Sequence, residues 1–289
     1  MILSAAPPRA LQLGALKAPL LVLGGPYSNL EATLTLRRIA TERGIPGHRC
    51  ICTGDLVAYC ADPMETVREI RDWGVWVVMG NCEESLAAGA RDCGCGFEQG
   101  SSCDLLSSQW FNYASARIDV GTRRWMATLP RRLEFTLNGL RLAAVHGGTL
   151  QINRFLFASQ SDADFQQELQ RLDVDGVLAG HCGIPFNRQI GPHLWHNAGV
   201  IGIPANDGTD QGWYSLLEPA GPGQVQISRH RLHYDTATAA RKMRSAGLTG
   251  GYERALESGL WPILDVLPEA EREATGHPLE DDRQVWPRR

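Results

Sequence analysis

The chain has 289 residues, 43% of them hydrophobic, and 28 Lys and Arg against 32 Asp and Glu give a formal charge of −4. This composition excludes a disordered polyelectrolyte and supplies enough apolar surface for one sizeable core. No basic stripe marks a nucleic-acid groove, and no apolar run nears the roughly 18 residues that suggest a membrane span.

Residues 1–18 read as a loosely packed leader, because no continuous apolar stretch marks a secretion signal. A soluble, cytoplasmic protein is therefore expected. In that setting the eight cysteines read as reduced thiols or metal ligands, not as a disulfide framework. Residues 19–235 read as one domain. Leu20–Leu23 is a short buried strand ending at Gly24-Gly25. Asn29 caps a helix whose apolar stripe is Leu30, Leu34, Leu36 and Ile39, and Gly44 stops it. A strand at Cys50–Thr53 ends at Gly54-Asp55. A helix over Met64–Trp73 follows Pro63, and a strand at Val75–Met79 ends at Gly80-Asn81.

That rhythm of strand, polar loop and helix is an α/β pattern, in which ligands bind at the carboxyl ends of strands. The Gly- and Cys-rich stretch at 85–103 breaks it and reads as an irregular loop. Helices are expected over Asp104–Arg117, Thr122–Met126 and Asp162–Leu172. Asn138-Gly139 favours a type I′ turn between strands 133–137 and 140–145, a hairpin that delivers His146 at a strand end. The strand Gly176–Ala179 delivers His181. Later strands near 188–190, 194–196, 213–217 and 224–227 suggest a second, more antiparallel sheet. Residues 236–289 read as a helical tail with a frayed, polar end.

The polar residues gather in five short signatures. They are Gly-Gly-Pro-Tyr-Ser-Asn at 24–29, Gly54-Asp55, Gly80-Asn81-Cys82, His146-Gly147-Gly148, and Gly180-His181-Cys182-Gly183. Their order and spacing resemble the calcineurin-like metallophosphoesterases, over about Leu20 to Asp207. Residues 54–63 are similar to the bacterial protein-phosphatase-like branch, as are residues 197–204. The resemblance implies an αββα sandwich of two mixed β-sheets with a C-terminal helical tail. It also implies hydrolysis of a phosphomonoester or phosphodiester by metal-activated water, on a small molecule or a phosphoprotein.

Carried over residue by residue, Asp55 matches the metal-bridging Asp, while Asn81, His146 and His181 match the other ligands of one metal. Such a mixed oxygen and nitrogen set suits Mn, Fe or Zn. The other half departs from the family. Gly25 and Tyr27 stand where an Asp and a His are expected, Gly183 replaces the last His, and Cys82 replaces the His that helps protonate the leaving group.

Three readings follow: a one-metal enzyme on Asp55, Asn81, His146 and His181; a two-metal centre rebuilt with Tyr27, Cys60, Cys82 and Cys182; or an inactive binding scaffold. Phenolate and thiolate do bind Fe and Zn. Against them, Tyr27 could simply pack over the vacated pocket, and Cys60 and Cys182 could be small buried hydrophobes. Cys93, Cys95 and Cys103 form a separate thiol group, open to a zinc site, a redox-labile pair acting as a sensor, or a loop that folds over the phosphoesterase site. Trp110, Trp125 and Trp195 are candidates for core packing or for an interface between copies of the chain.

Overall fold

The computed structural model describes residues 10–95 and 102–287, and side chains within the helix that opens at residue 102 are described from Leu106 onward. The strands are β1 (Leu11–Leu16), β2 (Leu20–Leu23), β3 (Cys50–Cys52), β4 (Trp76–Val77), β5 (Arg132–Leu137), β6 (Leu140–Val145), β7 (Gly176–Ala179), β8 (Phe186–Ile190), β9 (His193–Asn197), β10 (Gly212–Gly221), β11 (Gln224–Leu232) and β12 (Arg283–Trp286). The helices are α1 (Leu30–Glu42), α2 (Pro63–Trp73), α3 (Asn81–Ala88), α4 (Ser102–Ser115), α5 (Val120–Met126), α6 (Asp162–Leu169), α7 (Thr236–Ser245), α8 (Tyr252–Ser258) and α9 (Glu269–Glu273).

Among the described residues two six-stranded mixed sheets form, in the orders β12-β11-β10-β2-β3-β4 and β1-β5-β6-β7-β9-β8. Strand β2 shows why they stack. Side chains alternate along a strand, so Leu20 and Val22 enter the cluster between the sheets with Leu133, Phe135, Leu142 and Leu178. Leu21 and Leu23 face the other way, into a cluster with Leu36 and Ala40 of α1, Val67 and Ile70 of α2, and Met243 of α7. On the outer face of the second sheet, Phe165 and Leu169 of α6 pack with Val145, Val177 and Trp195. The result is a helix–sheet–sheet–helix sandwich, as the family resemblance implies.

Local chemistry explains the boundaries. The Asn29 side chain accepts the Ala32 N–H at 3.1 Å and caps α1, a contact worth about 1 kcal/mol. Pro63 opens α2, and Gly74 closes it in the left-handed conformation.

Several expectations are corrected. The leader reading fails for residues 11–16, which form β1 and pair in parallel with β5. The buried face of α1 is Ala32, Thr33, Leu36 and Ala40, and Leu34 is 47% exposed. Small residues let that helix lie close to the sheet, so counting only large side chains set the stripe out of phase. The strands at 212–232 do not build the second sheet. Strand β10 runs antiparallel to β2 and extends the first one. The tail is not purely helical, because β12 pairs with β11 and buries Trp286. The irregular loop is shorter than expected, since α3 occupies residues 81–88.

Candidate metal centre

Strands β2, β3 and β4 run parallel, as do β6 and β7, and their carboxyl ends carry the five signatures. His146 is the hub. Its Nδ1–H donates to the Thr53 carbonyl at 2.6 Å, which turns Nε2 inward. Nε2 then lies 2.9 Å from Asn81 Oδ1, 3.2 Å from Asp55 Oδ2 and 3.1 Å from His181 Nδ1. All four residues are buried.

Atoms that ligate one ion at about 2.0–2.2 Å stand roughly 3 Å from one another. The other three donor atoms keep that spacing from Nε2, and the set of one carboxylate, one amide oxygen and two imidazoles fits a divalent transition metal. Among the described residues, the His, Cys, Asp and Glu side chains that meet closely enough to hold a metal are Asp55, His146 and His181.

The electrostatics point the same way. Burial works against a charge on Asp55, but His146, His181 and the Cys82 backbone N–H outweigh it and hold the carboxyl below its ordinary range. Burial likewise opposes a charge on His146, yet Asp55 and the Thr53 carbonyl raise its pKa. Burial, then the charge on His146, push His181 down to about 3. A cluster that favours one proton on His146 is one that favours a cation.

The backbone is strained where it serves the cluster. Asp55 and His181 have φ of 57° and 64°, in the left-handed region, at a cost on the order of 1 kcal/mol each. Gly80 is required by close approach, since a Cβ there would stand 2.3 Å from Asp55 Oδ1. Glu83, which the sequence reading missed, locks this corner. Its carboxylate accepts the N–H groups of Asp55 at 2.8 Å, Leu56 at 2.8 Å and Gly80 at 2.9 Å. Burial, then the Asp55 charge, lift its pKa to about 7. The signal was available: Glu83 is the third residue of α3, where a Glu reaches back to the cap N–H.

The Cys-rich segment folds beside the cluster. Asn81 Nδ2 donates to the Cys93 carbonyl at 2.9 Å and to Cys95 Sγ at 3.3 Å, which aims its Oδ1 at His146. Asn153 donates to the Gly94 carbonyl at 2.9 Å from the far side. Cys93 and Cys95 are joined as a disulfide. That corrects the expectation of reduced thiols for this pair and leaves neither sulfur free to ligate zinc. The Cys103 side chain lies outside the described residues.

Aromatic rings occupy the positions that the family resemblance gives to the other half of a metal centre. A Cβ on Gly25 would lie 2.5 Å from Cζ of Tyr27, so the Tyr27 ring occupies the space a side chain at 25 would take. A Cβ on Gly183 would lie 3.1 Å from the Trp261 ring, which the segment after α8 lays over that position. Of the thiols proposed as substitute ligands, those of Cys60 and Cys182 point elsewhere. Cys60 Sγ approaches the Gly202 carbonyl at 3.7 Å, and Cys182 Sγ approaches the Ile184 carbonyl at 3.5 Å and accepts from Asn197. Cys82 stays at the cluster: its N–H donates to Asp55 Oδ1 at 3.2 Å, and its thiol lies beside the Asp55 carboxylate and 3.6 Å from Asn81 Nδ2. Burial raises the pKa of all three thiols, with Cys182 at about 12, and it raises that of the Tyr27 phenol.

Comparison with known proteins gives the architecture a context. The family model of the calcineurin-like phosphoesterase superfamily domain matches residues 32–218. The uncharacterized protein MJ0912 of Methanocaldococcus jannaschii is 26% identical over 252 residues, covering 78% of this chain and 92% of that one. The hypothetical protein PH1004 from Pyrococcus horikoshii OT3 superposes with a TM-score of 0.70 at 16% identity, over 84% of this chain and 99% of its own. A metallophosphoesterase from Sphaerobacter thermophilus gives a TM-score of 0.65 at 18% identity, over 85% of this chain and 100% of its own. At those identities the two structures speak to the fold.

Proposed function

The chain belongs to the calcineurin-like phosphoesterase superfamily, and from that premise we propose that it is a phosphoesterase working with one metal ion held by Asp55, Asn81, His146 and His181. The observation that carries this reading is the convergence of Asn81 Oδ1, Asp55 Oδ2 and His181 Nδ1 within 3.2 Å of His146 Nε2. Beside it, Tyr27 and Trp261 fill the other half.

A bound ion would supply Lewis acidity toward a phosphoryl oxygen and would acidify a water. The rest falls to the chain. Asp55 contributes the negative charge that retains the ion, and the Cys82 N–H fixes the orientation of its carboxylate. Thr53 sets which His146 nitrogen faces inward, and Cys93 and Cys95 hold the Asn81 amide. The Tyr27 ring keeps water from the vacated half, with 4% of its surface exposed.

The test is hydrolysis of an aryl phosphate with Mn, Fe or Zn supplied, alongside metal content. His146→Ala and His181→Ala should lose both metal and turnover. Unchanged metal and activity in either variant would overturn the reading. The two rings filling the vacated half also favour a second reading, a metal-bearing scaffold without turnover, and that protein would hold its ion yet hydrolyse nothing.

A further inference from the structure

Beside the four-residue cluster lies a cleft of about 570 Å³ whose lining includes His146, Arg131, Arg132 and Arg171. Small-molecule pockets usually span about 300–1,000 Å³, so the cleft has room for a ligand. Three arginines line it, and among the described residues no Asp or Glu does.

The elements that shape the metal centre also place these arginines. Arg132 stands opposite Val145 in the β5–β6 ladder, one residue before His146. The Met79 N–H, just ahead of Gly80-Asn81, donates to the Pro130 carbonyl at 2.8 Å and anchors the segment that enters β5. Arg131 pairs with Glu84 of α3, the helix that opens with Asn81. Arg171 follows the end of α6. Two of the three guanidiniums keep donors to spare. Arg132 meets Glu134 at 2.6 Å through Nε, one of the five N–H donors of an arginine. Arg171 is exposed and forms no ion pair among the described residues.

A guanidinium is a planar fork of donors that matches the oxygens of a phosphate or a carboxylate, and it keeps its charge. A cleft lined by three of them, with no carboxylate among its lining residues, draws in anions. A phosphate held at the cluster leaves this space for another part of the same molecule, and the charge of the walls selects an anionic one. Because His146 belongs both to the cleft wall and to the cluster, a molecule with two anionic groups places one at the cluster and the other among the arginines.

We infer that this cleft seats a second anionic group, a phosphate or a carboxylate, of a phosphoester whose scissile phosphate lies at Asp55, Asn81, His146 and His181. The inference rests on the phosphoester reading and adds the class of substrate, a small phosphoester that carries at least one further anionic group.

The experiment is calorimetric titration of the metal-loaded, full-length protein, cleared of free metal, with three non-hydrolysable ligands: propane-1,3-bisphosphonate, 3-phosphonopropionate and propylphosphonate. At least one of the two doubly anionic ligands should bind about tenfold more tightly than propylphosphonate, the scale of one charge-assisted hydrogen bond. The tighter of the two tells a second phosphate from a carboxylate. In Arg171→Ala that preference should fall to about threefold or less, and Arg171→Lys should restore part of it, keeping the charge without the fork. Arg171 has no ion pair to lose, so its removal leaves the fold in place, and Arg132→Gln gives an independent second variant.

Equal binding of all three ligands to the wild type would overturn the inference. So would a preference that survives both arginine variants, since the second group would then sit on the metal and not in the cleft. In either case, metal-dependent binding of propylphosphonate would leave the phosphoester reading standing. Failure of all three ligands to bind would sink both.

Discussion

Glu83 offers the sharpest test of how the centre is held. Its carboxylate accepts three buried N–H groups, two of them from the Gly80 and Asp55 backbones that shape the cluster. Glu83→Ala removes all three acceptors at once. Each buried N–H left without a partner costs about 1–3 kcal/mol, and water entering the vacated space recovers part of that. The net loss should be about 3–5 kcal/mol, larger than most single substitutions cause. It would lower the melting temperature by roughly 10 °C. Asp55 would also lose the anchor of its left-handed backbone, so metal affinity should drop about 10- to 100-fold, the usual cost of removing a group that orients a ligand. Chemical denaturation of the chelated protein gives the first quantity, and competition with a chromophoric chelator gives the second. A loss under about 1 kcal/mol with unchanged metal affinity would refute the reasoning.

Metal affinity should weaken as pH falls. The pKa of His146 is raised above its ordinary value of about 6.5, so its second proton persists above that pH and must leave before Nε2 can ligate. His181, at about 3, and Asp55, held low, stay unprotonated across that window and do not compete. Stability without metal runs the opposite way: the His146 contribution is complete below about pH 6.5 and fades as pH rises through its raised pKa. Titrations with metal at several pH values should show affinity climbing through that window, and a flat profile between pH 6 and 8 would contradict it. Gly25→Asp restores a family ligand on paper, but its Cβ would stand 2.5 Å from the Tyr27 ring at a backbone φ of 29°. The variant should lose about 1–3 kcal/mol by overpacking and gain no second ion. A melting temperature equal to the wild type's would count against the packing argument.

Much of the site was legible because the signatures lie at strand ends, where chain direction and short loops leave little freedom. Asp55, Asn81, His146 and His181 were all found from their glycine-flanked positions, and the structure brings them together. The thiols were harder to read. Cys60 and Cys182 share loops with the ligands, but the direction of a side chain in an irregular loop depends on backbone torsions that residue type does not encode. Trp261 could not be foreseen at Gly183, since it arrives from 78 positions later through the packing of the segment after α8. Strand β12 escaped for a related reason. Its four residues include two polar ones, and it becomes a strand only because the edge of β11 is there to pair with it. The α1 stripe was misread because alanine and threonine bury where a helix must come close to a sheet.

The central claim is that the ligand set serves one ion and that the aromatic half holds none. Elemental analysis of protein purified without added metal or chelator, repeated on Cys60→Ser, Cys82→Ser and Cys182→Ser, tests it most directly. The account expects one transition metal per chain in all four proteins. Two metals per chain, or a loss of metal on any of the three serine substitutions, would contradict it.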